Sequence, residues 1–334
     1  MWDLMSRLEY FLVYRRAALS ILFMAILCIF LVPPCTSSTL KTVTFATSNS
    51  VWVRNFHLLT KAIEAESQYR LRFVFVGGPE AIPPFEQIEA VRRGVVDVAL
   101  LPAAYFVPQL PEADAMKLSR HSPMEERKNG IYAFYRNLME ERLNVIYLGK
   151  LAGGVSYRFY LKKTLERPDL KGLKIRVTPI YEPFVRALGG VGVTTSPGEV
   201  YVALERGIVD GFGWPSIGIH EMGWHEVIRY MVEPGFYQTD VCVLVNKEKW
   251  QGLSAGEQRL IEDIMDRSEG ESYELSRKMA HQEKQLLLDR GIRVIEFHDA
   301  EKQYYLEAAY RAGWEKVMQK NPITGLELKK LMEQ

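Results

Sequence analysis

The sequence predicts a two-lobed α/β protein with a ligand cleft between its lobes. From residue 41 onward, strand patterns alternate with helical ones, which is the order of a parallel α/β sheet. A helix–glycine–strand unit occurs twice, 113 residues apart, and a long helical pattern follows towards the C-terminus. A chain of 334 residues with 48% hydrophobic content is long enough to form two separate cores.

The N-terminus predicts export from the cytoplasm. Arg15 and Arg16 precede an uninterrupted apolar run over residues 17–32, and small polar residues follow. This pattern favours a cleaved secretory signal within residues 1–40 and a periplasmic location, because a spanning helix needs about 20 apolar residues. The main alternative is an uncleaved membrane anchor, since the basic region is long and no clean A-x-A site appears. Cys35 follows Val-Pro-Pro, which is a poor lipoprotein signal.

Charge and cysteine content exclude several classes of partner. Basic and acidic residues balance beyond residue 40, which argues against a nucleic-acid surface. Cys28 and Cys35 lie in or beside the export segment, so Cys242 is alone in the mature protein. No intrachain disulfide and no cysteine-based metal site is therefore expected. Cys242 lies in an apolar run and is expected to be a small buried residue.

The first half of the chain predicts one sheet with intervening helices. In order, the expected elements are a strand over 42–46, a helix around 56–63, strands over 71–76 and 95–102 separated by a helix over 85–93, a helix over 132–141 and a strand over 144–149. Glu80 follows the Gly77–Pro79 break and therefore lies at a candidate strand end, where α/β sheets place ligands.

The second half predicts another sheet and the connection between the two. Strands are expected over 155–161, 172–177, 208–212 and 241–245, with helices over 181–188 and 199–205. A capping box at 254–257 begins a helix that continues towards Leu288, about 50 Å if unbroken. A strand over 293–297 and a helix capped by Asp299 complete the chain. We expect lobe I over 41–155 plus about 242–281, and lobe II over 156–241 plus about 282–334.

The repeated unit relates the two lobes. Residues 90–97 and 203–210 match in character at every position, and each is followed by a proline five residues later, Pro102 and Pro215. One interpretation is that helix, glycine and buried strand form a common unit that recurs by chance. The other is that both lobes have the same plan and present a strand end to a shared cleft. In that register Leu101 corresponds to Trp214.

Arg176 is the main candidate for ligand contact. It lies between Ile175 and Val177 at the end of a predicted strand, where open α/β sheets place their ligands. A guanidinium stays charged and matches a carboxylate in bidentate geometry, so it suits the anchoring of an organic acid. Arg158, 18 residues earlier in another aromatic strand, is a second candidate; its alternative is an exposed strand position.

Aromatic residues near strand ends are candidates for the pocket wall, because ligand pockets are largely apolar with few polar anchors. Phe212 and Trp214 flank a glycine beyond a buried strand, Tyr237 follows a Pro-Gly-Phe turn, and Tyr105 follows Pro102. Trp214 is alternatively a core residue.

Catalytic motifs are scarce. His220 and His225 are five residues apart, which places them on different faces of a helix rather than in a zinc motif. No G-x-S-x-G elbow, P-loop or complete dinucleotide fingerprint is present. We therefore expect neither an enzyme nor a bound cofactor. The alternative is an enzyme on the same scaffold with Glu80 or His225 as general base.

Three segments resemble one known family. They are DLKGLKIRV over 169–177, GEVYVALERGIVDG over 198–211 and VNKEKW over 245–250. They resemble the DctP-type solute receptors of tripartite ATP-independent periplasmic (TRAP) transporters, in the family's order. The resemblance implies a two-lobed periplasmic-binding-protein-like fold, closing over an organic acid and delivering it to membrane permease subunits. It also implies that Arg176 grips the substrate carboxylate and that Arg158 assists.

The departures from that family predict the kind of acid. Sialic-acid and dicarboxylate receptors commonly have Gln-Glu-Asn-Pro where this chain has Phe-Gly-Trp-Pro over 212–215, and first-lobe positions charged in sialic-acid receptors are Pro102 and Tyr105 here. Loss of these polar groups disfavours a sugar acid, whose buried hydroxyls would be unpaired. We expect a monomeric receptor for a monocarboxylate with an apolar, cyclic or aromatic body. An anchored ligand-sensing or partner-binding module without a transport role is the alternative.

Overall fold

The computed structural model describes residues 37–333. The predicted signal or anchor lies almost entirely outside these residues. Within them, no helix is both long enough and apolar enough to cross a membrane.

Strands and helices alternate along the chain much as the sequence predicts. The strands are β1 Ser38–Thr44, β2 Leu71–Gly77, β3 Val98–Pro102, β4 Val145–Leu151, β5 Tyr157–Leu161, β6 Lys174–Val177, β7 Val191–Thr194, β8 Gly211–Pro215, β9 Tyr230–Glu233, β10 Val241–Asn246 and β11 Arg293–Glu296. The α-helices are α1 Arg54–Glu66, α2 Gln87–Arg92, α3 Pro123–Lys128, α4 Ile131–Leu143, α5 Glu182–Ala187, α6 Val200–Glu205, α7 Lys247–Gln251, α8 Ala255–Asp289, α9 Asp299–Lys320 and α10 Pro322–Met332.

The strands form two sheets, which are the centres of two lobes. The first has the order β2-β1-β3-β10-β4 and the second the order β11-β9-β5-β8-β6-β7. In each sheet the strand of the repeated unit is parallel to an earlier strand: β3 pairs with β1, and β8 pairs with β6. The predicted two-lobed α/β fold is confirmed.

Two crossovers between the sheets run side by side. One leads from β4 to β5, and the other leads from β9 to β10. Ser156 and Gln238 form an antiparallel bridge, the amide of Thr239 donates to the carbonyl of Val155 at 2.9 Å, and the amide of Tyr157 donates to the carbonyl of Tyr237 at 2.8 Å. The crossovers are therefore a short two-stranded ribbon between the lobes.

The long helix α8 is a third connection. It has 35 residues and begins with the predicted capping box at Ser254, so it spans about 52 Å. Glu269 accepts the backbone N–H of Lys150 from the first sheet at 2.7 Å. Further along, Glu283 accepts the backbone N–H of His220, which follows β8, at 2.7 Å. The helix thus contacts both lobes, as predicted.

The 113-residue repeat is present in three dimensions. Helices α2 and α6 and strands β3 and β8 have bounds that differ by that same offset. Gly94 and Gly207 end the two helices with φ of +70° and +69°, a conformation that favours glycine.

An aspartate follows the glycine in both copies and makes the same contacts. Asp97 accepts the N–H of Lys41 at 2.7 Å and donates its own N–H to the carbonyl of that lysine at 2.8 Å. Asp210 does the same with Lys174, at 3.0 and 2.7 Å. Each aspartate thus fixes the start of a parallel strand pair in the correct register.

The two predicted strands that follow the repeat glycines begin three residues later than expected. Residues 95–97 and 208–210 precede β3 and β8, because the amides of Val95 and Ile208 donate to carbonyls of the preceding helices, Ala90 and Ala203, at 2.9 Å. These helix-end hydrogen bonds replace strand pairing. The final helix is divided into α9 and α10 at Asn321–Pro322, and His298 rather than Asp299 occupies its N-cap.

The equivalence of Gly94 and Gly207 predicts that alanine at either position destabilises the protein by the same amount. Gly94→Ala and Gly207→Ala should each reduce the free energy of unfolding by about 1 kcal/mol, because alanine is strained at positive φ. Urea denaturation followed by circular dichroism measures this. Gly198→Ala is the control, since an added methyl there meets no atom within 4 Å and its φ is not positive. A Gly207→Ala protein as stable as the control would contradict the prediction.

Candidate ligand-binding site

A small cavity lies where the strand ends of the two sheets meet. Its wall is formed by Phe45, Trp52, Pro102, Ala104, Tyr105, Tyr157, Arg176, Thr178, Trp214, Pro215, Thr239, Asp240 and Val241. The free volume inside it is about 30 Å³, so the lining residues pack closely around it in this conformation. Both repeat prolines line it, so the two copies of the repeat deliver their strand ends to one place.

Arg176 is the cation of this cavity. Its side chain is only 1% exposed. Nε and Nη2 donate to the carbonyl oxygen of Thr195 at 3.1 and 2.7 Å, and Nη1 donates to the hydroxyl of Tyr181 at 3.2 Å. All these acceptors are neutral. Among residues 37–333, no carboxylate lies within salt-bridge distance of the guanidinium. A buried charge without a counter-ion is costly, so the site is suited to an anion.

Tyr181 holds the guanidinium in position. Its hydroxyl accepts from Arg176 and donates to the carbonyl of Gly213 in β8 at 2.6 Å. Burial raises the pKa of Tyr181, against the opposing effect of the neighbouring Arg176. The phenol therefore stays neutral, and it connects the arginine of β6 to the backbone of β8.

Aromatic rings form a continuous wall from one lobe to the other. Tyr105 contacts Phe45 at 6.1 Å between ring centroids, Phe45 contacts Trp52 at 6.3 Å, and Trp52 contacts Trp214 at 6.4 Å. The guanidinium carbon of Arg176 lies 5.5 Å from the centroid of the Trp214 ring, in cation–π range. Burial raises the pKa of Tyr105 to about 12. The wall is thus apolar and neutral around a single cation.

Asp240 adds the one carboxyl group of the cavity lining. It is 1% exposed, and its Oδ1 accepts the backbone N–H of Ala103 at 3.3 Å. Its Oδ2 is buried and has no hydrogen-bond partner among the described residues. Burial raises the pKa of Asp240 to about 7, although the charges of Lys150 and Lys117 oppose that shift.

Three of the seven predicted contact residues line this cavity: Arg176, Trp214 and Tyr105. The structure does not bring Arg158, Phe212, Tyr237 or Glu80 to it.

Arg158 is engaged elsewhere. Its Nε lies 3.0 Å from the carboxylate of Glu233 in the neighbouring strand β9, and Nη1 donates to the hydroxyl of Ser156 at 3.1 Å. Lys284 of α8 lies 2.9 Å from the same carboxylate. Arg158 therefore sits in an ion-pair network between β5, β9 and the long helix.

The other predicted residues have structural contacts. Phe212 is fully buried and stacks on Tyr160 at 5.1 Å. Tyr237 is fully buried, and its hydroxyl donates to the carbonyl of Ala309 in α9 at 2.6 Å. Glu80 accepts the N–H of Gly78 at 2.6 Å in its own loop, and backbone hydrogen bonds lower its pKa.

Sequence reasoning missed Trp52, Tyr157 and Asp240. Tyr157 adjoins the predicted Arg158, and Trp52 follows the polar turn after β1, so proximity to a strand end was the available indication for both. Asp240 directly precedes the wholly apolar strand β10, and an acid in that position is an indication of its own.

Two α/β lobes, a paired crossover between them and a cavity with a buried cation are the features of a two-lobed solute-binding protein. The chain belongs to the bacterial extracellular solute-binding protein family 7, the DctP family, whose profile matches residues 42–321.

Individual relatives agree with this membership. The chain is 26% identical over 226 residues to a solute-binding protein from Chromohalobacter salexigens, a match that covers 64% of this chain and 66% of that relative, slightly under two thirds. Its fold is similar to a TRAP periplasmic solute-binding protein from Desulfovibrio salexigens with bound orotic acid, at a TM-score of 0.78 and 20% identity, covering 88% of this chain and 97% of the other. A Bordetella pertussis extracytoplasmic solute receptor binding pyroglutamic acid gives 0.77 and 16%, with coverage of 89% and 100%.

The role of the Tyr181 hydroxyl predicts a stability effect. Tyr181→Phe should reduce the free energy of unfolding by about 1–3 kcal/mol, because the buried carbonyl of Gly213 and one Arg176 N–H lose their partner. Thermal and urea unfolding measure the change. Tyr201→Phe removes a solvent-exposed hydroxyl that bonds to Glu226, and it should leave the unfolding midpoint unchanged. Equal effects of the two substitutions would contradict the assignment.

Proposed function

We propose that this protein is the periplasmic solute receptor of a TRAP transporter and that it binds a small monocarboxylate with an apolar, cyclic or aromatic body. It delivers this acid to the permease subunits of the membrane. Membership of the DctP family supports the receptor role, and the cavity supports the class of ligand.

The observation that carries the proposal is the buried guanidinium of Arg176. Its three protein hydrogen bonds go to neutral oxygens, so its charge is stabilised but not neutralised. A carboxylate entering the cavity supplies the missing negative charge, and charge-assisted hydrogen bonds in a water-excluded site are among the strongest available.

The rest of the wall supports a single carboxylate on an apolar body. Arg176 is the only basic residue among the lining residues, and the rings of Phe45, Trp52, Tyr105 and Trp214 surround the remaining space. A second carboxylate would meet aromatic rings and Asp240 rather than a cation. A sugar acid would bury several hydroxyl groups with few partners.

Contacts across the cleft support closure over the ligand. Glu221, which follows β8, accepts the backbone N–H of Val51, which follows β1, at 3.0 Å. Trp52 and Trp214 meet edge to face beside it. Binding therefore stabilises the closed arrangement to the extent that the ligand contacts both lobes at once.

We propose that the protein acts as a monomer without catalytic turnover, and that its lobes divide near residues 155 and 241. Neither candidate base is placed for chemistry on a bound acid: Glu80 accepts from the amide of Gly78 in its own loop, and His225 stacks on His220 at 4.6 Å outside the cavity lining. The N-terminal segment directs its export to the periplasm.

The proposal predicts the effect of removing the cation. Arg176→Met should weaken binding of the cognate acid by about 30- to 1,000-fold, because loss of one partner of a buried charged pair costs several kcal/mol. Isothermal calorimetry against cyclic and aromatic monocarboxylates, 2-oxo acids and glucuronate measures this. Glucuronate should not bind detectably.

Arg158→Met is the matched comparison. It removes an equally large cation that is held by Glu233 outside the cavity, and binding should stay within a few-fold of wild type. Circular dichroism is used to check that both variants are folded. An Arg176→Met protein that binds as tightly as wild type would overturn the anchor, and equal losses in both variants would return Arg158 to the site.

A further inference from the structure

The carboxyl group of Asp240 is under-satisfied for its position. A carboxylate has about four acceptor sites on its two oxygens. At 1% exposure, Asp240 makes one side-chain hydrogen bond, from Ala103 at 3.3 Å, and Oδ2 has no partner among the described residues. Buried polar groups are nearly always hydrogen-bonded, and the residue that carries this unpaired oxygen lines the cavity, so a bound molecule is the partner at hand.

Neighbouring cations do not satisfy this carboxyl group. The ammonium of Lys117 lies 2.5 Å from Asp114, and that of Lys150 lies 2.7 Å from Glu126. Lys316 reaches the second oxygen of Asp114 at 3.0 Å. Among the described residues, no cation lies within salt-bridge distance of Asp240. These lysines lower the energy of its charge from a distance but leave Oδ2 available.

We propose that Asp240 is a second polar anchor of the ligand, and that Oδ2 accepts a hydrogen bond from an N–H or O–H group on the ligand body. The transported solute is then a carboxylic acid that carries a hydrogen-bond donor on its ring or chain, rather than a purely hydrocarbon or keto acid. This inference rests on the proposed organic-acid function and narrows it.

Both anchors line the same cavity but come from different sheets. Arg176 is on β6 of the second sheet, whereas Asp240 lies at the end of the crossover into β10 of the first sheet. A ligand that uses both is held across the cleft. A ligand that uses Arg176 alone leaves a buried carboxyl oxygen unpaired, which is the basis of strong discrimination against analogues that lack a donor.

Pairs of probes that differ in a single atom test the proposal. The second member of each pair has an oxygen atom in place of the ring N–H. The pairs are pyrrole-2-carboxylate with furan-2-carboxylate, indole-2-carboxylate with benzofuran-2-carboxylate, and pyroglutamate with 5-oxotetrahydrofuran-2-carboxylate. At pH 8, above the pKa of about 7 of Asp240, the wild-type protein should bind the N–H member of at least one pair about 10- to 100-fold more tightly by calorimetry, the usual size of a charge-assisted hydrogen bond.

Two variants separate a ligand contact from a structural role. Asp240→Asn should reduce that preference to about threefold or less, because the amide NH₂ group takes the place of an acceptor oxygen. Glu126→Gln is the matched control: it removes a buried charge that pairs with Lys150 outside the cavity lining, and it should leave the preference unchanged whatever it does to the melting temperature.

The outcomes distinguish this inference from the proposed function. Equal binding of both members of every pair, or an Asp240→Asn protein that keeps the full preference, overturns the role of Asp240 while Arg176-dependent binding stands. Binding of only the oxygen members also overturns it. Failure of every acid in the wider panel to bind overturns the proposed function and this inference together.

Discussion

A buried guanidinium without an acidic partner is the constraint on which the rest of the structure depends. Moving an ion out of water costs several kcal/mol even after the protein relaxes, and the three hydrogen bonds that Arg176 makes to neutral oxygens offset only part of this. The protein must therefore hold the group rigidly, and it does so from two directions, with the carbonyl of Thr195 after β7 and with Tyr181 before α5. The energetic deficit that remains favours the approach of an anion.

The aromatic wall and the ion-pair networks around it have different roles. Rings keep water away from Arg176 and so preserve the strength of its electrostatic interactions. The charged groups that do have partners lie outside this wall: Arg158 with Glu233 and Lys284, and Lys117 and Lys150 with their own carboxylates. Among residues 37–333, these charged groups around the cavity have partners of opposite charge, whereas Arg176 and Asp240 in its lining have none within salt-bridge distance.

The sequence predicts the fold and the centre of the site because both depend on local pattern. The 113-residue repeat, the parallel strands and the long helix follow from periodicity, glycine position and a capping box, and Arg176, Trp214 and Tyr105 follow from proximity to strand ends. Arg158 has the same local appearance as Arg176, but its partner Glu233 comes 75 residues later and draws it away from the cavity. Phe212 and Tyr237 likewise have packing partners that are distant in sequence. The acid before the apolar strand β10 was an available indication for Asp240, but the unpaired state of its Oδ2 depends on the folded structure and has no sequence pattern.

The ribbon formed by the two crossovers has a mechanical consequence. Two strands joined edge to edge bend easily out of their plane, but sliding one along the other breaks the hydrogen bonds of Thr239 and Tyr157. The ribbon therefore favours a hinge movement of the lobes over a shear movement. Asp240 lies at the end of this ribbon and Arg176 on β6 of the second sheet, so the ribbon fixes the path along which a hinge movement changes the distance between the two groups.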